Sequence, residues 1–133
     1  MKKIQFLIND NTLTIGYKIE NNTFKNLNNT NIISKDDLIF DIKYFKNNLK
    51  IVAGFLNVMV KNDGITQAII EHDELILLSL ELLNFMPNIT SLVIRPDVTI
   101  DYEMHLAILK NDTLKRINCY AIPTYLLERI DTT

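Results

Sequence analysis

The sequence predicts an α+β fold in which antiparallel N-terminal hairpins lead into a short strand–helix repeat. Alternating apolar residues flank an Asn-Asp-Asn cluster near the N-terminus, and an Asp-Gly pair separates two apolar runs in the middle of the chain. Three short apolar phrases then begin at Ile65, Ile89 and Leu114, at offsets of 24 and 25 residues. Between these phrases lie apolar segments that are long enough for helices.

The composition is that of one domain of ordinary size. The chain has 133 residues, of which 47% are apolar and 23% are charged, and this apolar content can fill a core at that length. The formal net charge of −2 lacks the positive excess that is expected of a general nucleic-acid binder. We expect a single domain over residues 1–133, with a mostly β subregion over 1–63 and a strand–helix repeat over 64–133.

The sequence shows no pattern of a targeting or membrane-spanning segment. Its apolar runs at 52–60 and 75–83 are shorter than the roughly 18 apolar residues that a spanning helix needs. Cys119 is the only cysteine, so no intrachain disulfide can form, and it occupies an apolar position that favours a buried thiol. We therefore expect a cytoplasmic protein with no membrane partner.

The first half has the pattern of paired β-strands. Lys2–Ile8 and Thr12–Ile19 alternate on either side of Asn9-Asp10-Asn11, which predicts a β-hairpin. A second hairpin is predicted where Asp63-Gly64 separates the run 55–61 from the run 65–70, because glycine accepts the positive φ of a primed turn.

Residues 34–48 allow two interpretations. Ser34-x-x-Asp37 is typical of a helix start. Leu38, Phe40, Ile42 and Tyr44 instead alternate as in a strand, and their β-branched and aromatic side chains favour that reading slightly. The preceding stretch 21–31 is polar and predicts a loop.

Helix signals lie between the three phrases. Asp73 is a good N-cap for an almost wholly apolar helix over 75–85, which Pro87 ends. Asp101 caps a second helix that runs to about Lys110, and Pro123 can begin a last short one. The apolar face predicted for the second helix consists of Tyr102, Leu106 and Leu109.

The three phrases share the form L-x-x-L-x-L, as Ile65-x-x-Ala68-x-Ile70, Ile89-x-x-Leu92-x-Ile94 and Leu114-x-x-Ile117-x-Cys119. In form and spacing they resemble the leucine-rich repeat, over about half of the chain. The resemblance implies parallel strands that carry helices on one face. Where that family has a ladder Asn or Cys, this chain has Asp73, Asp97 and Ile122. The alternative is an α+β domain whose last strands match this spacing without being such repeats.

The residues between the apolar positions define a candidate binding surface, because successive side chains of a strand point to opposite faces. The predicted rows are Gln67/Ser91/Arg116, Ile69/Val93/Asn118 and, at the strand ends, Glu71/Arg95/Tyr120. Ligands of parallel sheets usually bind beyond the strand C-termini, and Arg and Tyr are common in binding hot spots. The predicted partner-binding residues are Gln67, Glu71, Ser91, Arg95, Arg116, Asn118 and Tyr120.

Catalytic motifs are absent from the sequence, which has no nucleophile–base–acid pattern, glycine-rich phosphate loop or paired-cysteine motif. Both histidines lie in acidic runs, Glu71-His72-Asp73-Glu74 and Asp101-x-Glu103-x-His105. These runs suit a divalent metal, but helix capping also explains their carboxylates, and no His-x-His or His-x-x-x-His spacing occurs. We expect no catalytic residue, bound metal or cofactor.

The leading functional hypothesis is a non-catalytic protein–protein interaction module of the inhibitor, immunity-protein or antitoxin kind. A first alternative is a small metal-dependent hydrolase that uses His72, His105 and nearby carboxylates. A second is a nucleic-acid-binding α+β domain that uses scattered lysines and tyrosines. Only the interaction-module hypothesis uses the predicted rows of the sheet.

Overall fold

One mixed sheet joins the two halves of the chain. The computed structural model describes residues 3–18, 38–120 and 131–132. The strands are β1 (Lys3–Asn9), β2 (Thr12–Tyr17), β3 (Leu38–Asp41), β4 (Gln67–Ile70), β5 (Ser91–Ile94), β6 (Arg116–Asn118) and β7 (Asp131–Thr132). The helices are α1 (Ile42–Asn47), α2 (Leu49–Asn62), α3 (Ile76–Leu83) and α4 (Tyr102–Lys110), and a 3₁₀ turn, Asp73–Leu75, precedes α3. The strand order is β3-β1-β2-β4-β5-β6-β7.

The antiparallel N-terminal part of the α+β fold is confirmed. β1 and β2 form the predicted hairpin, with Asn9 opposite Thr12 beside the turn. Asp10 adopts a φ of 52° in this turn, a conformation that Asp tolerates better than most residues. β3 pairs antiparallel with the other side of β1.

The hairpin predicted at Asp63-Gly64 is wrong, because α2 occupies the run before it. Gly64 does adopt a positive φ, of 65°, but it ends a helix. Its N–H donates to the Lys61 carbonyl, and the Ile65 N–H donates to the Val60 carbonyl, which together form a Schellman C-cap. The buried residues of α2 recur at helical spacing and pack against the sheet: Val52, Ala53, Leu56 and Val60. The mostly β subregion predicted for 1–63 therefore contains two helices.

Both interpretations of residues 34–48 are partly correct over the described residues. The chain is a strand to Asp41 and then becomes helix α1. The change falls at Asp41, which pairs with Lys3, the first residue of β1. Phe45 of α1 is fully buried, and its ring lies 5.5 Å from that of Phe6.

The predicted strand–helix units are present from β4 to β6. These strands are parallel and adjacent in chain order, and α3 and α4 connect them. Ala68, Leu92 and Ile117 align across the three strands and are fully buried. The loops repeat as well: the Thr66 carbonyl accepts from the Thr90 and Ser91 N–H groups, as the Thr90 carbonyl does from the equivalent pair one unit later. The spacing of the phrases is thus a structural period.

The helices cover one face of the sheet. The buried side chains of α2 and α3 form a single hydrophobic cluster with the alternate residues of the strands, among them Ile4, Phe6, Leu13 and Ile70. Helix α2 packs against α3, and α3 packs against α4. The opposite face of the sheet, the open face, carries the residues that alternate with the buried ones.

Two helix predictions need correction. Asp73 does not cap its helix; it lies in the first turn of the 3₁₀ segment, and His72 holds the N-cap position without a side-chain bond. Helix α4 has the predicted bounds, and Asp101 Oδ1 accepts from the Met104 N–H at 2.9 Å. However, Tyr102, Leu106 and Leu109 point away from the core, because α4 packs through Ile108 on its other side.

The loop predicted at 21–31 and the helix predicted from Pro123 lie outside the described residues. Within the part of the chain that is described, no helix has the length and apolar character needed to cross a membrane.

Candidate functional site

The open face of the sheet contains the two rows that the spacing predicts. The strand register places Gln67 beside Ser91 and Ser91 beside Arg116. It likewise aligns Ile69, Val93 and Asn118. Since β2 pairs in parallel with β4, Thr12 and Thr14 extend these rows on the other side.

Solvent exposure increases across the open face towards β6. Gln67 and Ser91 are half-buried, whereas Arg116 and Asn118 are exposed. Ile69 is only 8% exposed and forms an apolar base at the β4 end. Arg116 and Asn118 are therefore the most accessible residues of the two rows.

The third predicted row is partly assembled at the C-terminal ends of the parallel strands. Arg95 Nε lies 3.3 Å from Glu71 Oε1, so the residues that follow β5 and β4 form an ion pair. The Glu71 side chain lies along β2, since a Cβ atom at Gly16 would be 3.5 Å from its Cβ and Cγ atoms. Tyr120 follows β6 and is 68% exposed.

An aromatic and acidic cluster that the sequence did not predict lies at the same ends of the strands. The Tyr17 ring, at the end of β2, is 4.8 Å from the His72 ring, centroid to centroid. The Tyr17 hydroxyl donates to the Glu74 carboxylate of the 3₁₀ turn. The parallel pairing of β2 with β4 brings these groups together, although they are more than 50 positions apart in the chain.

These strand ends surround an open depression of about 440 Å³. Its polar lining consists of three carboxylates, one guanidinium and one imidazole, from Glu71, Asp73, Asp97, Arg95 and His72. Carboxylates outnumber the cation, so this edge, which we call the strand-end edge, is electronegative. It is suited to a positively charged group rather than to an anion.

The pKa of the Tyr17 hydroxyl is sensitive to the charges of this cluster. Burial raises the pKa of Tyr17 above its ordinary value of 10.0, and the hydrogen bond to Glu74 and the negative charges of Glu74 and Asp73 raise it further. The unfolded chain therefore ionises this phenol first as the pH rises through 10. The stability that comes from the neutral phenol is present below pH 10 and is lost as the pH rises through the folded pKa.

We expect Glu74→Gln to lower the pKa of Tyr17 towards 10.0, because the substitution removes the nearer negative charge. Ultraviolet absorbance of the phenolate, recorded against pH, measures this shift, and Tyr17→Phe identifies the band. Glu81→Gln alters an exposed carboxylate elsewhere and is the control. An unchanged Tyr17 titration in Glu74→Gln would contradict the described hydrogen bond.

The two histidines occupy different elements. His72 lies at the strand-end edge, whereas His105 lies in α4 and is half-buried. Over residues 3–18 and 38–120, no group of three or more His, Cys, Asp or Glu side chains is arranged to hold a metal ion. The metal-dependent hydrolase hypothesis thus gains no set of ligands from these residues.

No protein-family model, curated protein or solved structure matches this chain. The resemblance to leucine-rich repeats remains a likeness of sequence pattern.

Proposed function

We propose that this chain is a non-catalytic protein-interaction module that binds a protein partner through the open face of its sheet and the adjoining strand-end edge. An inhibitor, immunity protein or antitoxin is the class of protein that such a module suits. The observation that supports the proposal most is the open face, which no described helix covers and where the predicted rows lie side by side in register.

The ion pair at the strand-end edge contributes little to folding, which leaves Glu71 and Arg95 available for binding. The Glu71–Arg95 pair is solvent-accessible, with side chains 34% and 58% exposed. Exposed pairs of this kind stabilise a fold by only about 0–1 kcal/mol. The partner's own charges can therefore replace the ion pair at small cost.

The charges favour a partner with basic side chains near its apolar contact. Lysine or arginine from the partner would enter the electronegative strand-end edge, while its apolar atoms would cover Val93, which is half-buried. Such pairing of opposite potentials speeds association and selects the partner. Arg116, which lies at the exposed end of its row, would donate hydrogen bonds to a carboxylate or carbonyl oxygen of the partner.

The test begins with affinity capture from extracts of the native cell and continues with the purified captured protein. We expect a saturable one-to-one complex by calorimetry. The double variant Arg95→Ala/Arg116→Ala should weaken it by about 10-fold or more, since Arg is common among the residues that dominate interface energies.

Lys46→Ala removes an exposed positive charge from α1, on the helix side, and is the matched control. It should leave the affinity unchanged, and circular dichroism should show native folding for every variant. A partner that binds the double arginine variant as tightly as the wild type would overturn the proposed surface. The absence of any saturable complex would overturn the function.

A further inference from the structure

Helix α4 presents an apolar stripe to solvent. Tyr102, Leu106 and Leu109 recur at helical spacing and are 73%, 43% and 39% exposed. The core side of α4 is already occupied by Ile108, with Met104 and Ala107 partly buried. The stripe, which we call the outer stripe, therefore leaves much of its apolar surface exposed in the described fold.

A groove borders the outer stripe. It lies between α3 and α4, has a volume of about 770 Å³, and has apolar walls that include Leu77, Phe85, Leu106 and Leu109. Phe85 is 38% exposed there. Apolar grooves of this kind commonly bind the apolar face of a further helix.

The charges on α4 indicate which helix fits. Glu103 lies near its N-terminus and Lys110 is its last residue, and both line the groove. Neither forms an ion pair with another described residue. Because the acidic and the basic residue lie at opposite ends of the stripe, a second copy of the stripe that runs antiparallel sets each charge against an opposite one.

We propose that the outer stripe is a homodimer interface in which α4 packs antiparallel against α4 of a second copy. A two-fold axis near Leu106 sets that residue against its own equivalent, and Tyr102 against Leu109 of the second copy. The same axis sets Glu103 against Lys110 of the second copy, and the reverse. A parallel arrangement would place like charges together and is therefore disfavoured.

The groove reinforces this arrangement. Glu81 of α3 also lines it, so an incoming Lys110 has a second carboxylate within the same groove. The interface is confined to one helix and its groove, which places it among the small, reversible ones. We expect a dissociation constant on the order of 10–100 µM.

Sedimentation velocity across about 1 µM to 1 mM protein tests the proposal, and we expect 15.4 kDa monomers to pass into dimers. Leu106→Glu should abolish the dimer. Glu103→Lys and Lys110→Glu should each weaken it about 10-fold. The combined variant Glu103→Lys/Lys110→Glu should bind more tightly than either single variant, because the antiparallel pair is matched again, but less tightly than the wild type, because Glu81 then faces a carboxylate.

Val58→Glu is the matched control, since Val58 is an apolar residue of α2 that is 62% exposed. It should leave the dimer intact, and circular dichroism should show that all variants fold. A chain that stays monomeric over the whole range overturns the proposal, as does a dimer that survives Leu106→Glu. A combined variant that binds no more tightly than the single variants overturns the antiparallel arrangement. The open face plays no part in these measurements, so they stand apart from the proposed function.

Discussion

Phe6→Ala is expected to lower the free energy of unfolding by about 3–5 kcal/mol, the largest effect of any change discussed here. The Phe6 side chain is fully buried at the centre of β1. Its ring meets those of Phe40 and Phe45 edge to face, at centroid separations of 5.9 and 5.5 Å. Truncation removes the transfer energy of the ring and both aromatic contacts, and it leaves a cavity between β3, β1 and α1.

Phe55→Ala is the control of identical chemistry, because Phe55 is 56% exposed on α2. Its substitution should change stability by no more than about 0.5 kcal/mol. Urea unfolding followed by circular dichroism compares the two variants at equal protein concentration. Equal losses for Phe6→Ala and Phe55→Ala would show that the aromatic cluster is not the core of the antiparallel part.

Asn111→Ala is expected to cost about 2–3 kcal/mol, the second largest effect. Asn111 is 1% exposed at the end of α4. Its Oδ1 atom accepts from the Thr113 and Leu114 N–H groups, each at 2.8 Å, and from the Thr113 hydroxyl at 3.0 Å. Alanine leaves the Leu114 N–H buried without this acceptor, and an unsatisfied buried donor costs more than an ordinary hydrogen bond contributes.

Asn84→Ala is the control variant for Asn111→Ala. Asn84 is exposed, and its Oδ1 atom only receives the Asn111 Nδ2 bond, at 3.2 Å. Its removal should cost about 0.5–1.5 kcal/mol. Amide hydrogen exchange at Leu114 should accelerate in Asn111→Ala and change little in Asn84→Ala. The reverse order of the two losses would refute the role assigned to Asn111.

Asn111 also shows where sequence analysis fell short. The sequence predicts only that a helix ends near Lys110, and the leucine-rich-repeat pattern places the ladder residues after the strands, at positions 73, 97 and 122. The buried asparagine instead holds the loop that leads into β6, while Thr113 Oγ1 also lies 3.3 Å from the Ile89 carbonyl oxygen of the preceding unit. No local pattern distinguishes such an asparagine from the many others in this chain.

Local sequence patterns predicted most of the features that lie within a single strand, helix or turn. The Asn-Asp-Asn turn, the Asp101 cap and the alternation within β1 and β2 act over a few residues, and the structure contains all three. The hairpin prediction at Asp63-Gly64 was wrong because a primed turn and a helix C-cap both need a positive φ at glycine. The prediction of the buried face of α4 was wrong because that helix is apolar on two sides, and only its neighbours determine which side is buried.

The sequence by itself determined the strand–helix period and, through it, the rows Gln67/Ser91/Arg116 and Ile69/Val93/Asn118. It could do so because equal spacing and the two-residue period of a strand determine which side chains align. Only the tertiary structure decided that β2 pairs in parallel with β4. That contact joins distant segments and leaves no local pattern, yet it places Tyr17 beside His72 and Glu74 and so completes the strand-end edge.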